Sequence, residues 1–162
     1  MKIKQIIQLA GFAFAALIIA ACGKNDQADG HAEADDGLRY IRITGNDQMR
    51  FNTTEINAAP GEQFRLNFVN VGRMPKETMG HNWVLFTKMS ESELNSLAME
   101  AAANAPEYLP NDRSVILAKT QILGPGQSEA IVVTAPSEPG EYTYACTFPG
   151  HFTLMRGKLI VE

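Results

Sequence analysis

The sequence has few cysteines and histidines and, beyond its first residues, no long apolar run. Two of its 162 residues are Cys and three are His. Two cysteines form at most one bridge, which excludes a disulfide-rich scaffold. After residue 22 there is no apolar stretch of about 18 residues, the length that would predict a membrane-spanning helix. Basic residues are also few, 14 against 18 acidic ones, and the absence of a basic stripe argues against nucleic-acid binding.

The N-terminal residues have the pattern of a secretory signal peptide. Lys2 and Lys4 give a basic start, and residues 9–21 form an uncharged, mostly apolar run that ends in small side chains. This run is too short and too close to the N-terminus for a typical membrane-spanning helix. We therefore predict a signal peptide over residues 1–21. The apolar fraction of the whole chain, 45%, fits one globular domain behind it.

The end of this signal predicts a lipid anchor. Residues 19–22 read Ile-Ala-Ala-Cys, which resembles the bacterial lipobox, in which the cysteine is lipidated and becomes the new N-terminus. Lipid on Cys22 would hold the chain on a bacterial membrane, with the remainder facing the periplasm or the cell exterior. Gly23 in the next position resembles lipoproteins that are sorted to the outer membrane. The alternative is an ordinary signal peptide followed by an unmodified cysteine.

Residues 22–37 are predicted to be a flexible tether. They contain five acidic residues, one lysine and no large apolar side chain, so they cannot bury enough apolar surface to fold. His31 lies in this segment and is expected to be solvated, with weak metal binding as the alternative. The remaining residues, 38–162, carry 11 basic and 13 acidic residues, a near-neutral balance that suits contact with another protein.

Residues 38–162 have mainly the pattern of β-strands. Alternating apolar and polar residues, separated by turns that contain Gly or Pro, recur at the spacing of an antiparallel β-sandwich. We therefore predict an all-β domain built as such a sandwich. The predicted strands cover residues 38–44, 49–54, 64–68, 83–87, 115–123, 129–134, 141–146 and 158–161.

One segment within this pattern predicts a helix. Ser90 and Glu93 form a capping box, residues 94–102 place Leu and Ala at helical spacing, and Pro106 ends the helix. We expect this helix to be inserted between strands and to pack through its Leu and Ala side chains. Its expected role is structural.

A short C-terminal segment concentrates metal-binding side chains. Cys146, His151 and Met155 lie within ten residues around a Pro-Gly turn, so a thiolate, an imidazole and a thioether would point to one place. Copper accepts this mixture of soft and borderline donors in both oxidation states, whereas magnesium and calcium do not. A second imidazole must come from elsewhere, and His81 is the candidate outside the tether. Two His and one Cys with a weak axial Met form the donor set of blue-copper electron-transfer sites.

Each of these residues has a structural alternative when it is considered alone. A single His near a strand end is usually a surface or hydrogen-bonded residue, a single Cys in a strand is a small core residue, and Met155 would fill the core by default. Together they favour a metal site. An unpaired cysteine in a secreted chain calls for an explanation, and Cys146 has no disulfide partner because the other cysteine is assigned to lipid. Zinc fits less well, since its closed sites use four strong donors and seldom a thioether.

Three motifs of this sequence resemble those of azurins, which belong to the cupredoxin family. They are Gly-Asn-Asp-Gln-Met at 45–49, Pro-Lys-x-x-Met-Gly-His-Asn-Trp-Val-Leu at 75–85 and Cys-Thr-Phe-Pro-Gly-His-x-x-x-Met at 146–155. The resemblance covers residues 38–162, including the inserted helix, and with the lipobox it suggests a membrane-anchored azurin-like protein. It implies a Greek-key β-sandwich of about eight strands that carries single electrons on one copper ion in the bacterial periplasm or at the cell surface.

The resemblance also implies roles for individual residues. The implied equatorial copper ligands are His81, Cys146 and His151. The implied weak axial ligands are Met155 and the carbonyl oxygen of Gly80. The N–H groups of Asn82 and Phe148 would donate hydrogen bonds to the sulfur of Cys146 and so tune the potential. The Asn82 side chain would join the two ligand loops. Trp83 is expected in the apolar core, with a role as an electron relay as the alternative.

The sequence departs from azurins at three places. Azurins usually have a disulfide near the first strands, whereas Arg39 and the region of Gly61 occupy the corresponding positions here, so stability must come from the core alone. A buried His near the site often couples charge to pH in azurins, but the matching position holds Asn70, which does not titrate. The stretch before Cys146 is also shorter than usual, which predicts a different turn.

An apolar ring around His151 is the predicted docking surface for redox partners. Its predicted members flank the motifs and are Met49, Met79, Phe148, Pro149, Gly150 and Phe152. Such a ring fits the small, weak interfaces of redox encounters, whereas scattered apolar surface residues are the alternative. The expected partners are redox proteins such as c-type cytochromes or a terminal reductase. The chain itself is expected to be a monomer.

Two further functions are compatible with a copper site. A copper carrier or buffer is the alternative, but it would need an open site that releases metal. An enzyme such as a nitrite reductase would need a second, catalytic copper with further imidazole ligands, and three His are too few. We therefore predict an electron carrier without enzymatic activity, with one copper ion as its cofactor.

Overall fold

The computed structural model describes residues 37–162, which form two β-sheets packed face to face. The first sheet contains, in spatial order, β2 (Arg50–Phe51), β1 (Arg39–Asn46), β4 (Gln63–Asn70) and β7 (Ser128–Thr134). The second contains, in spatial order, β3 (Glu55–Ala58), β9 (Arg156–Val161), β8 (Gly140–Ala145), β5 (Val84–Phe86) and β6 (Ile116–Lys119). The predicted all-β sandwich is confirmed. The predicted signal peptide, lipidation site and tether lie outside the described residues, Gly37 excepted.

The alternation of apolar residues along the strands places the core between the two sheets. On β4, Phe64, Leu66 and Phe68 are fully buried while the residues between them are partly exposed. The register aligns Ile43 of β1 with Phe68, so the buried faces of neighbouring strands coincide. Trp83 packs into the same cluster and is fully buried, as expected for a core residue.

Two α-helices interrupt the strands of residues 37–162. Helix α1 (Lys76–Met79) is a single turn immediately before the second motif, and the sequence did not predict it. Helix α2 (Glu91–Ala103) begins at the predicted capping box: the backbone N–H of Glu93 is bonded to Ser90 Oγ, and the Glu93 carboxylate accepts the N–H of Ser90. Among residues 37–162, neither helix is long and apolar enough to cross a bilayer.

The strand pairing differs from the sequence prediction in three respects. The sandwich is not wholly antiparallel, because β1 pairs with β4, and β3 with β9, in parallel. Strand β3 was missed because it has only four residues directly before a Pro-Gly turn, although these residues alternate between exposed and buried. The predicted strand over 115–123 is shorter, because only β6 pairs with β5; beyond it, Leu123 forms an isolated bridge with His81.

Candidate metal centre

His81, three residues before β5, is held by backbone hydrogen bonds to Leu123. Its N–H donates to the carbonyl oxygen of Leu123 at 3.1 Å, and the N–H of Leu123 donates back to the His81 carbonyl at 2.7 Å. Gly80, directly before it, leaves no room for a side chain: a Cβ would lie 2.6 Å from Cγ2 of Ile122 and 2.6 Å from the carbonyl oxygen of Lys76. The turn from α1 into His81 therefore requires glycine.

The second ligand segment is a closed loop between β8 and β9. Cys146 follows β8, and its N–H donates to the carbonyl oxygen of Met155 at 2.9 Å. Within the loop, the N–H of His151 donates to the Phe148 carbonyl at 3.0 Å, and the N–H of Met155 donates to the His151 carbonyl at 2.9 Å. These bonds fold the loop back on itself, so that Cys146, His151 and Met155 are brought together although they are separated in sequence.

Three donor atoms converge in the interior of the protein. The Nδ1 atoms of His81 and His151 lie 3.1 Å apart, and Sγ of Cys146 lies 3.9 Å from the first and 3.6 Å from the second. All three residues are buried. A transition metal bound by all three atoms, at about 2.0 Å from nitrogen and about 2.3 Å from sulfur, would need donor separations of about 3.5 to 3.7 Å. The observed separations lie within about 0.4 Å of these values, so the triangle is the right size for one transition-metal ion.

The protonation states of these side chains also suit a metal. Burial, followed by the neighbouring His81, lowers the pKa of His151 to about 4. Burial likewise lowers the pKa of His81, against the opposing effects of the Asn46 carbonyl and the charge on Asp47. Both imidazoles are therefore neutral near pH 7 and have a lone pair to donate.

The thiol of Cys146 must lose its proton when a metal binds. Burial raises the pKa of this thiol to about 12, although hydrogen bonds from the N–H groups of Asn82 and Phe148 to the sulfur act in the opposite direction. A bound cation deprotonates a coordinating thiol outright. The same two N–H groups that the sequence analysis assigned to the sulfur thus lie beside it and would stabilise the thiolate.

The two ligand segments are joined by a pair of reciprocal side-chain bonds. Asn82 Nδ2 donates to Oγ1 of Thr147 at 2.8 Å, and the N–H of Thr147 donates to Oδ1 of Asn82 at 2.8 Å. Both residues are buried, so these hydrogen bonds are shielded from competing water. The Asn82 side chain therefore fixes the start of the Cys146 loop against the His81 segment, and Thr147 is its partner, which the sequence did not single out.

Met155 lies beside this triangle and is fully buried. At Gly45, an added Cβ would lie 2.5 Å from Cε of Met155 and 3.3 Å from Cδ2 of His81. The methionine methyl and the imidazole thus border the same glycine, which places the thioether next to the donor cluster. The mixture of two imidazoles, one thiolate and one thioether fits copper better than zinc.

Asn70 acts on the site through hydrogen bonds rather than through charge. Its Nδ2 donates to the carbonyl oxygen of Leu123 at 3.0 Å, and its Oδ1 accepts the N–H of Gly72 at 2.9 Å. Leu123 is the backbone partner of His81. Asn70, 1% exposed, therefore supports the ligand strand without a titratable group, a role that requires knowledge of the strand pairing and is not visible in the sequence.

The predicted docking ring is only partly available at the surface. Pro149 and Gly150 are exposed, and Met49 and Met79 are half-buried. Phe152 is 7% exposed and packs in the second apolar cluster, so it does not contribute a docking side chain. Phe148, also 7% exposed, faces inward. The sequence pattern could not distinguish an outward from an inward aromatic residue within an irregular loop.

Exposed apolar residues that the sequence analysis missed lie close to the same motifs in the chain. Leu154, within the ligand loop, is 41% exposed, and Met74, just before α1, is 43% exposed. The segment that contains Met74 is held to the turn after β1, because Asp47 accepts the N–H groups of Arg73 and Met74. Leu154 belongs to the loop itself and adds exposed apolar surface there in place of Phe152.

Comparisons with known proteins agree with this donor set. The model of the family described as copper binding proteins, plastocyanin/azurin family, matches residues 40–162. Azurin of Pseudomonas aeruginosa is 36% identical over 127 residues, which cover 75% of this chain and 84% of that protein. Azurin iso-2 of Methylomonas sp. strain J is 38% identical over 123 residues, covering 74% and 95%.

Solved structures agree as well. Auracyanin A of Chloroflexus aurantiacus, described as a "blue" copper protein, has a TM-score of 0.68 at 32% identity, covering 78% of this chain and 100% of that one. Dithionite-reduced auracyanin of Roseiflexus castenholzii has a TM-score of 0.67 at 33% identity, covering 76% and 96%.

Proposed function

Because the chain belongs to the plastocyanin/azurin family of copper-binding proteins, we propose that it is a lipid-anchored carrier of single electrons. Its one copper ion would be held by His81, Cys146, His151 and Met155, with the carbonyl oxygen of Gly80 as a further weak ligand. The observation that supports this most directly is the buried triangle formed by Nδ1 of both histidines and Sγ of the cysteine. Blue-copper sites use this donor set for electron transfer.

The residues around the site favour fast electron transfer because they hold one geometry. When bound, copper supplies the one-electron redox chemistry. His81 is fixed by the bridge to Leu123, and the Asn82–Thr147 bonds fix the start of the loop. Ligand positions set by strands and buried hydrogen bonds change little with the charge of the metal, so little reorganisation accompanies each transfer.

The closed site argues against the copper carrier or buffer that the sequence left as an alternative. His81 and Cys146 are fully buried, and His151 is 3% exposed. A protein that hands over its metal needs ligands that the acceptor can reach, and here the loop and the His81 segment enclose them. Release would require the buried ligand segments to move apart.

A direct test of the proposed function is the spectroscopy of the purified, copper-loaded protein. We expect one copper per chain, an intense visible band and the narrow copper hyperfine splitting in electron paramagnetic resonance that distinguishes blue sites. A colourless cupric protein with an ordinary square-planar spectrum would contradict the assignment.

Met155 is expected to tune the reduction potential rather than to hold the metal. A long axial contact contributes little binding energy, and Leu has nearly the same volume in this buried position. Met155→Leu should keep the copper and raise the potential, because Cu(II) loses a donor; each tenfold loss in relative Cu(II) affinity adds about 59 mV. Redox titration measures this, and Met89→Leu, outside the site, is the control. Loss of copper from Met155→Leu would contradict the axial role.

Electron transfer to partners is proposed to depend on the apolar surface near His151. The folded domain carries 11 basic and 13 acidic residues, so long-range steering should be slight. A charge placed at Met79 would have to be desolvated on docking. Met79→Lys should therefore slow transfer at least tenfold, about 1.4 kcal/mol, and leave the colour unchanged. The measurement is stopped-flow transfer to a purified c-type cytochrome at two salt concentrations.

The matched control for this variant is Met99→Lys. Met99 lies on α2, is 78% exposed, and gives the same change of charge without desolvation at the docking surface. Equal transfer rates for the two variants, or a steep salt dependence of the transfer rate in the parent protein, would show that the docking site lies elsewhere. The proposed partners are c-type cytochromes or a terminal reductase, and the proposed location is the bacterial cell envelope, with Cys22 anchored in the outer membrane.

A further inference from the structure

The end of the ligand loop is anchored from the side of helix α2. Phe152 packs with Val84 and Phe86 of β5 and with Leu94 of α2 in the second apolar cluster. It is the loop residue directly after His151. The loop therefore sends one side chain away from the donor triangle and into the space beneath the helix.

A charged group lies over the ring of Phe152. The guanidinium of Arg156, the first residue of β9, lies 5.7 Å from the centroid of the Phe152 ring. Its Nη1 donates to Oε2 of Glu91 at 2.8 Å, and Glu91 is the first residue of α2. A guanidinium over an aromatic face is attracted by the ring. Phe152 is thus held between an apolar cluster and a cation that the helix itself orients.

Phe152 is placed to control the backbone that carries two ligands. The carbonyl group of His151 belongs to the peptide that joins residues 151 and 152. It accepts the N–H groups of Leu154 at 3.1 Å and Met155 at 2.9 Å. The position of the Phe152 side chain therefore sets the orientation of this carbonyl, and with it the position of Met155 relative to His151.

We propose that Phe152, Arg156 and Glu91 form a latch by which helix α2 positions the His151 and Met155 ends of the metal loop. The Asn82–Thr147 pair fixes the start of the loop, and the latch fixes its end. The three members of the latch are positioning residues and do not touch the metal. This inference rests on the proposed function in one respect only, namely the assignment of His151 and Met155 as ligands.

The latch is expected to act locally. The Arg156–Glu91 pair is partly exposed, and such pairs add little to the free energy of unfolding. The residues that it restrains lie in an irregular loop, where local opening is easier than global unfolding. Loss of the latch should therefore loosen the loop more than it lowers the melting temperature.

The chain offers a matched control on the same strand. Lys158, two residues after Arg156 on β9, forms a comparable exposed ion pair with Glu141. Each of the variants Arg156→Gln and Lys158→Gln therefore removes one positive charge and one ion pair with a glutamate. Lys158 also feels the charge of Glu91, but it donates its hydrogen bond to Glu141 and belongs neither to the metal loop nor to the second apolar cluster. A difference between the two variants therefore reports the latch rather than charge or β9 stability.

The first experiment is amide hydrogen exchange in the metal-free protein. In Arg156→Gln, the amides of Leu154 and Met155 should exchange at least about tenfold faster, while that of Leu66 in the core of β4 is unchanged. Lys158→Gln should leave all three amides as in the parent. Phe152→Ala should accelerate the exchange of these amides more than Arg156→Gln does. Phe152→Leu, which keeps an apolar side chain there, should accelerate it less than Phe152→Ala does.

The second experiment uses copper-loaded protein. Arg156→Gln should release copper to a chelator several-fold faster and alter the copper hyperfine splitting. Adding Glu91→Gln to Arg156→Gln should cause no further change in either quantity, because the two residues act as one pair. Unchanged loop exchange in Arg156→Gln, or equal changes in Lys158→Gln, would overturn the latch, and these variants decide it even if Phe152→Ala does not fold. If the parent protein bound no copper, the proposed function would fail while the exchange data still tested the latch.

Discussion

Replacement of Cys146 by Ser is expected to abolish the intense visible colour of the copper-loaded protein. The colour of a blue site arises from charge transfer between a thiolate sulfur and Cu(II), and a serine oxygen does not supply this transition. Within residues 37–162, Cys146 is the free cysteine, so no other thiolate of the described domain replaces it. The hydroxyl group is also a poor ligand, because a buried alcohol does not lose its proton readily.

The measurement is the visible and electron paramagnetic resonance spectrum of protein loaded with one equivalent of Cu(II). We expect the intense visible band to disappear entirely, and we expect any copper that still binds to show a wide hyperfine splitting. The folding of Cys146→Ser must be checked in parallel, because loss of colour tests the ligand only if the variant keeps the β-sandwich, as we expect. A Cys146→Ser protein that remained blue would refute the ligand assignment.

Replacement of the other cysteine, Cys22, is expected to release or mislocalise the protein if it is the proposed lipid anchor. Each buried CH₂ group of an acyl chain contributes about 0.8 kcal/mol, and two or more chains make anchoring stable where a single one is reversible. Without the cysteine the proposed lipidation and processing at this position could not take place. Cys22→Ser should therefore remove almost all of the protein from the outer-membrane fraction, either by release or by retention as an unprocessed precursor.

Fractionation of bacterial cells followed by immunoblotting measures this effect. The variant should still bind copper and be blue once purified, which separates anchoring from the copper site. Gly23→Asp is the matched variant for sorting: it should keep the lipid but retain the protein in the inner membrane. Unchanged membrane fractionation of Cys22→Ser would refute the anchor, and the electron-carrier proposal would stand without it.

The type of fold was predictable because its signals are local. A strand with one buried face must alternate apolar and polar residues, as in the buried Phe64, Leu66 and Phe68 of β4. The capping box of Ser90 and Glu93 likewise depends on residues three apart. Pairing partners are not local, and for that reason the parallel pairs β1–β4 and β3–β9 did not follow from the pattern.

The donor types of the site were also predictable, since copper chemistry limits them. A Cys, a His and a Met within one short segment are informative by composition, and the small number of His left His81 as the candidate for the second imidazole. The sequence could not say that Nδ1 of His81 would face Nδ1 of His151 at 3.1 Å. That distance depends on the bridge to Leu123 and on the Asn82–Thr147 bonds, which join segments far apart in the chain.

By itself, the sequence determined which side chains are available as ligands and which segments form strands, because both follow from residue type and short-range spacing. Only the tertiary structure decided the direction in which each loop side chain points. Phe152 was expected beside the partner surface, yet it packs with Leu94 of α2, because Leu94 and the strands of the second sheet form an apolar cluster there and Arg156 lies over its ring. In an irregular loop no periodicity relates a side chain to a face, so packing against distant residues sets its orientation.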